Sequence, residues 1–152
     1  MSDSGAAGDN DTVTGLPPLA NVTCVAVSGR GLLIEGPPGS GKSSLALALI
    51  DRGAVLVGDD GIVLEPRASR LWASPPPRIA GKLELRGIGL IEFPTTSAPV
   101  SLVLSLDPAA PRFPEIATRQ LAGIAVPLLA FRTGDAIAPL RAEKALVEFG
   151  LA

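Results

Sequence analysis

The sequence contains no histidine. That excludes histidine as a general base and as a metal ligand, so proton transfer must run through carboxylates, lysine or water. Cys24 is the only cysteine, which rules out an intramolecular disulfide and suits a reducing, cytoplasmic setting. Aromatic residues are 3% of the chain against 47% apolar residues, so the core must be built from Leu, Val, Ile and Ala. No run is long and apolar enough to span a bilayer, so no membrane association is expected. Asp3, Asp9 and Asp11 stand where a secretion signal would be basic. The net charge of −2 leaves no basic footprint for nucleic acid.

What remains is 152 residues, enough for one domain with a proper core. Residues 1–18 are rich in Ser, Gly, Asp and Ala and end in Pro17-Pro18, which reads as a disordered leader. Residues 19–152 are then a single domain. Its organising stretch is Gly36-Pro37-Pro38-Gly39-Ser40-Gly41-Lys42-Ser43, followed by Ser44. It fits the phosphate-loop (P-loop) pattern of Gly, four residues, Gly, Lys and Ser/Thr. A β-like run, Gly31 to Glu35, precedes it, and a helix-forming run, Ser43 to Ile50, follows. Loop N–H groups and the helix start can form an anion nest. Lys42 supplies charge for β- and γ-phosphates, and the Ser43 hydroxyl suits Mg²⁺.

The flanking pattern predicts an antiparallel hairpin, Asn21–Val27 turning at Ser28-Gly29 into the loop strand. The helix runs to Arg52, with Gly53 as its left-handed cap. Ala54–Val57 is a short buried strand placed to lie beside the loop strand. Ile62–Glu65 and Arg70–Ala73 form a hairpin, and Ser74–Pro77 breaks regular structure. Val100–Leu106 and Val126–Phe131 are strands, Glu115–Ala122 reads as a short helix, and Leu140–Phe149 as a terminal helix after Pro139.

A phosphate loop needs a carboxylate nearby. Asp59-Asp60 follows one apolar run, and Asp107 follows another. Asp59 and Asp60 suit a division of work, one as base and one for metal or water, or they form a solvated strand-end turn. Asp107-Pro108 fits a turn better than a site. In Leu83-Glu84-Leu85-Arg86-Gly87-Ile88-Gly89, the alternation puts Glu84 and Arg86 on one face. That face is either a metal ligand with a phosphate clamp or a surface Glu–Arg pair.

Taken together, Gly36–Ser43, Leu56-Val57-Gly58-Asp59-Asp60 and Leu83–Gly89 resemble the catalytic domain of HPr kinase/phosphorylase, in its short alphaproteobacterial form. The resemblance covers roughly residues 20–107. It implies an α/β P-loop kinase domain resembling the phosphoenolpyruvate carboxykinase-like fold, with mixed sheets around a buried P-loop helix. It implies transfer of the ATP γ-phosphate to a serine of HPr, the phosphocarrier of the sugar phosphotransferase system, and in many members the reverse phosphorolysis. By motif match, Lys42 binds phosphates, Ser43 and Glu84 serve Mg²⁺, Asp59 is the base and Asp60 assists. The family's hexamer implies a homo-oligomer. Asn21 and Ala54 stand where the family has histidines, Pro37-Pro38 where its loop has smaller or polar residues, and Gly58 where it has alanine. Arg132 and Arg141 are the nearest candidates for the family's C-terminal arginine. The forward reaction needs only Lys42 and the carboxylates, which the chain has, with Mg²⁺. Two alternatives use the same loop: a small-molecule P-loop kinase, and a nucleotide-binding sensor without catalysis.

Overall fold

The computed structural model describes residues 19–77 and 81–152. The leader expected over residues 1–18 lies outside the described residues. After the short β1 (Leu19–Ala20), β2 (Val22–Val27) and β3 (Arg30–Glu35) form the expected hairpin. Ser28 and Gly29 make its two-residue turn, both at positive φ (51° and 79°), which matches the twist of the strands it joins. α1 (Lys42–Asp51) follows the loop, and Gly53 ends it at φ 111° as expected. β4 (Val55–Gly58), β5 (Gly61–Arg67) and β6 (Arg70–Ser74) come next, then a separate hairpin of β7 (Lys82–Leu85) and β8 (Gly89–Glu92). The chain closes with β9 (Ala98–Leu106), β10 (Ile116–Leu121), β11 (Ile124–Phe131) and α2 (Ala138–Phe149).

β9 is the axis of the sheet. It is apolar along nearly its whole length, as a strand buried on both faces must be. One edge pairs in parallel with β3. The other edge is divided: Ala98 and Pro99 pair antiparallel with β6, while Val103–Leu106 pair in parallel with β11. This division makes the mixed sheet curl. The order runs β1-β5-β6-β9-β3-β2-β4, with β11 and β10 branching from the end of β9. Two apolar layers result. Leu32, Ile34, Leu102 and Leu104 pack against Leu45 and Leu49 of α1 and Leu146 of α2. Leu33, Val103, Val57, Ile62 and Leu71 pack on the opposite face. Leu49 is fully buried in the first layer. Leu49→Ala is therefore expected to cost about 2–5 kcal/mol, read as a lowered denaturant midpoint at unchanged slope.

Two expectations fail. Residues 115–122 do not form a helix; Ile116–Leu121 is the strand β10, paired residue for residue with β11. The Ala122-Gly123 pair, at φ 51° and 79°, is a hairpin turn, and pairing across it overrides a modest helix propensity. Nor does the strand before Asp59 lie beside the loop strand. β4 pairs with β2, so β2 separates it from β3. Two apolar runs that are both buried do not specify which neighbour each takes.

Candidate functional site

β3, β9 and β11 run in parallel and end on the same side of the sheet. β3 delivers the glycine-rich loop there, β9 delivers Asp107, and β11 delivers Arg132 and Thr133. Crevices outside the carboxyl ends of parallel strands are where open α/β sheets take ligands.

The loop is tightly built. A Cβ on Gly36 would lie 2.6 Å from Ser40 Oγ and 3.2 Å from Leu106 Cβ, so a larger residue there would push Ser40 aside. Gly41 sits at φ 102° as the N-cap of α1, and no side chain caps that end. The first N–H groups of α1 therefore remain available to an anion. Ser40 Oγ is buried without a hydrogen-bond partner. Lys42 folds back over the loop, its Nζ donating to the carbonyl oxygens of Gly36 at 2.7 Å and Pro37 at 3.2 Å.

The carboxylate comes from the end of β4. Asp59 is half-buried, and its Oδ1 accepts two hydroxyls: Ser43 Oγ at 2.9 Å and Thr23 Oγ1 at 2.8 Å. Thr23 lies on β2, the strand that intervenes between β4 and β3, and is almost wholly buried. Sequence reasoning passed over it. The available signal was a hydroxyl residue within the apolar strand Val22–Val27. A buried polar side chain needs a partner, and this one finds the carboxylate.

A cavity of about 460 Å³ opens beside the loop, lined by Gly39, Gly41, Lys42, Ser43, Ser44, Glu84, Arg86 and Gly87. The β7–β8 hairpin supplies Glu84 and Arg86, and it stands against α1 through the buried Leu83. The alternation read from the sequence thus faces the loop. Pro37 and Pro38 are exposed and do not line the cavity. Neither Asp59 nor Asp60 lines this cavity; Asp59 touches it through Ser43, while Asp60 is exposed at φ 61° and its carbonyl accepts the Asn21 N–H at 3.4 Å. Asp107 is used structurally: its Oδ1 accepts the Ala109 N–H at 2.9 Å, the turn role expected of Asp-Pro. Arg141 is likewise engaged, donating to the Arg132 carbonyl at 2.8 Å and lying 4.8 Å from the Phe131 ring centre. Burial pushes the Cys24 thiol up to about 12, so it carries no nucleophilic thiolate at neutral pH.

The donors suit a hard cation. Among the described residues no group of three or more His, Cys, Asp and Glu side chains converges on one point. Ser43 and Glu84 both line the cavity and carry oxygen donors of the kind a hard cation takes.

By architecture this is an α/β domain with a curled mixed sheet and a glycine-rich loop joining β3 to α1. Within that class the chain belongs to the family described as HPr Serine kinase C-terminal domain, which it matches over residues 19–97. The HPr kinase/phosphorylase of Clostridium tetani is 45% identical over 71 residues, 47% of this chain and 23% of that protein. The protein of the same name from Streptococcus thermophilus is 42% identical over 69 residues, 45% of this chain and 22% of that protein. The chain's matched stretch thus spans less than a quarter of these curated relatives' length. The solved structure of the Hpr(Ser) kinase/phosphatase from Coxiella burnetii superposes with a TM-score of 0.75 at 33% identity, over 87% of this chain and 94% of that one. No helix among the described residues is long and apolar enough to cross a membrane.

Proposed function

We propose that this chain is an ATP- and Mg²⁺-dependent protein-serine kinase whose acceptor is the phosphocarrier HPr, acting in the regulation of carbohydrate metabolism through the phosphotransferase system. The observation that carries the reading is Asp59, braced by Thr23 and Ser43 beside a glycine-rich loop. In it the Ser43 hydroxyl, at the loop's end, meets the carboxylate that follows β4. Family membership supplies the acceptor class.

The chain's residues have distinct tasks in in-line phosphoryl transfer, where positioning and charge neutralisation carry most of the catalysis. The loop N–H groups and the α1 start hold the polyphosphate of ATP. Lys42 has one more proton to donate than its two carbonyl partners use, and it places that charge on the transferred group. Ser43 and Glu84 would hold Mg²⁺, which supplies charge neutralisation on the phosphates when bound. Asp59 takes the proton of the acceptor serine on Oδ2, the oxygen that neither Thr23 nor Ser43 engages. Arg86 faces the phosphates across the cavity, and the assisting role of Asp60 rests on the family resemblance alone.

The reading centres on the forward direction, because Asn21 stands at the family's histidine position. A relation of the loop and fold to the phosphoenolpyruvate carboxykinase type, assembly into a homo-oligomer and a cytoplasmic location belong to the same reading.

The test is incubation of the purified chain with HPr, Mg²⁺ and γ-labelled ATP, with the product mapped to a serine. Bound ATP with no label on HPr removes the acceptor assignment and favours a nucleotide sensor. Thr23→Val, close to isosteric, is expected to lower kcat about tenfold, the order of one hydrogen bond to a charged group, with KM for ATP unchanged. An unaltered kcat would show that Asp59 does not depend on this brace.

A further inference from the structure

Glu35 leads into the glycine-rich loop. It ends β3 and precedes Gly36, whose carbonyl oxygen accepts the Lys42 ammonium. In register it shares the sheet face of Leu33, the layer opposite α1. Its side chain is only 20% exposed. Arg119 of β10 meets it with both guanidinium nitrogens, Nη1 to Oε1 at 2.7 Å and Nη2 to Oε2 at 2.8 Å. This is fork-on-fork pairing, short and directional. The bond raises the Arg119 pKa further above its ordinary value. Among the described residues it is the ion pair that ties the β10–β11 hairpin to the strand feeding the loop.

A carboxylate at this position has consequences. It is largely buried, one residue from a loop that would take a polyanion, so its charge is less screened than that of a surface acid. Left alone it would oppose the phosphates, and burial would make it costly. A paired guanidinium meets both difficulties. We propose that Arg119 is a positioning residue for the nucleotide: it cancels the Glu35 charge and fixes the end of β3, so that the loop presents its N–H groups to phosphate. The inference rests on the reading of the loop as a nucleotide site and deepens it.

The experiment compares ATP dissociation constants by calorimetry, at low and high salt, for the unaltered chain, Arg119→Ala, Glu35→Gln and the double variant. Arg119→Ala should weaken ATP about tenfold, the order of one partly buried charge near the ligand, and more at low salt. Adding Glu35→Gln should recover most of the loss, because the bare carboxylate is then gone. A role confined to folding gives no such recovery. Arg119→Ala binding ATP as tightly as the unaltered chain overturns the proposal, and so does a double variant as weak as the single one. Should Arg119→Ala not fold, Arg119→Gln with and without Glu35→Gln makes the same comparison. Failure of the unaltered chain to bind ATP, or binding indifferent to Lys42→Ala, is a different result. It overturns the nucleotide reading of the loop and the proposal with it.

Discussion

Asp59→Asn is expected to lower phosphoryl transfer by about a hundred- to ten-thousandfold, the range a positioned general base contributes. ATP binding should hardly change. Asparagine keeps the size of aspartate, and its amide oxygen still accepts the hydroxyls of Thr23 and Ser43. What it loses is the ability to take a proton. The informative outcome is therefore a split: kcat collapses while the ATP dissociation constant stays within about threefold, less than one neutral hydrogen bond is worth. Transfer that survives in Asp59→Asn would remove Asp59 as the base. With no histidine in the chain, Asp60 or Glu84 would then inherit the role.

Lys42→Ala should fail at an earlier step. The ammonium holds the loop through the carbonyls of Gly36 and Pro37 and lies at the start of α1. Removing it takes away the charge aimed at the phosphates and loosens the loop together. Transfer should fall about a thousandfold, comparable to losing a strong preorganised charge donor, and ATP binding should weaken with it. Lys42→Arg separates the two contributions. It keeps the charge, but a planar fork replaces a compact ammonium, so binding should be recovered in part and transfer hardly at all. Equal ATP affinity in Lys42→Ala and the unaltered chain would mean that the nucleotide sits elsewhere.

Much of this site was legible because its elements are local. A β-like run, a glycine-rich loop and a helix adjoin in sequence, so reading one predicts the next, and β3, the loop and α1 lie where the pattern puts them. The alternation in Leu83–Arg86 was equally local, and it does turn Glu84 and Arg86 toward the cavity. What escaped depends on contacts between distant segments. Asp59 was expected near the loop, but β4 is not adjacent to β3, and what escaped sequence reasoning is Thr23 on the intervening strand, which completes the contact. β10 read as a helix because its pairing with β11 is invisible to helix propensity. The same error hid Arg119: on a helix it would have had no reason to meet Glu35, 84 residues away in sequence. Ion pairs across a sheet require the strand order, and the strand order follows from how β9 divides one of its edges between two partners.

The central claim is that Asp59, beside the loop, accepts the proton of a protein serine as phosphate arrives from ATP. Its most direct measurement is transfer of labelled γ-phosphate to purified HPr by the unaltered chain and by Asp59→Asn, with ATP binding measured in both. The expected result is serine-linked label with the unaltered chain, its loss in Asp59→Asn, and similar ATP affinity in the two. Label transferred equally by both, or ATP bound by both with no serine labelled by either, would contradict it.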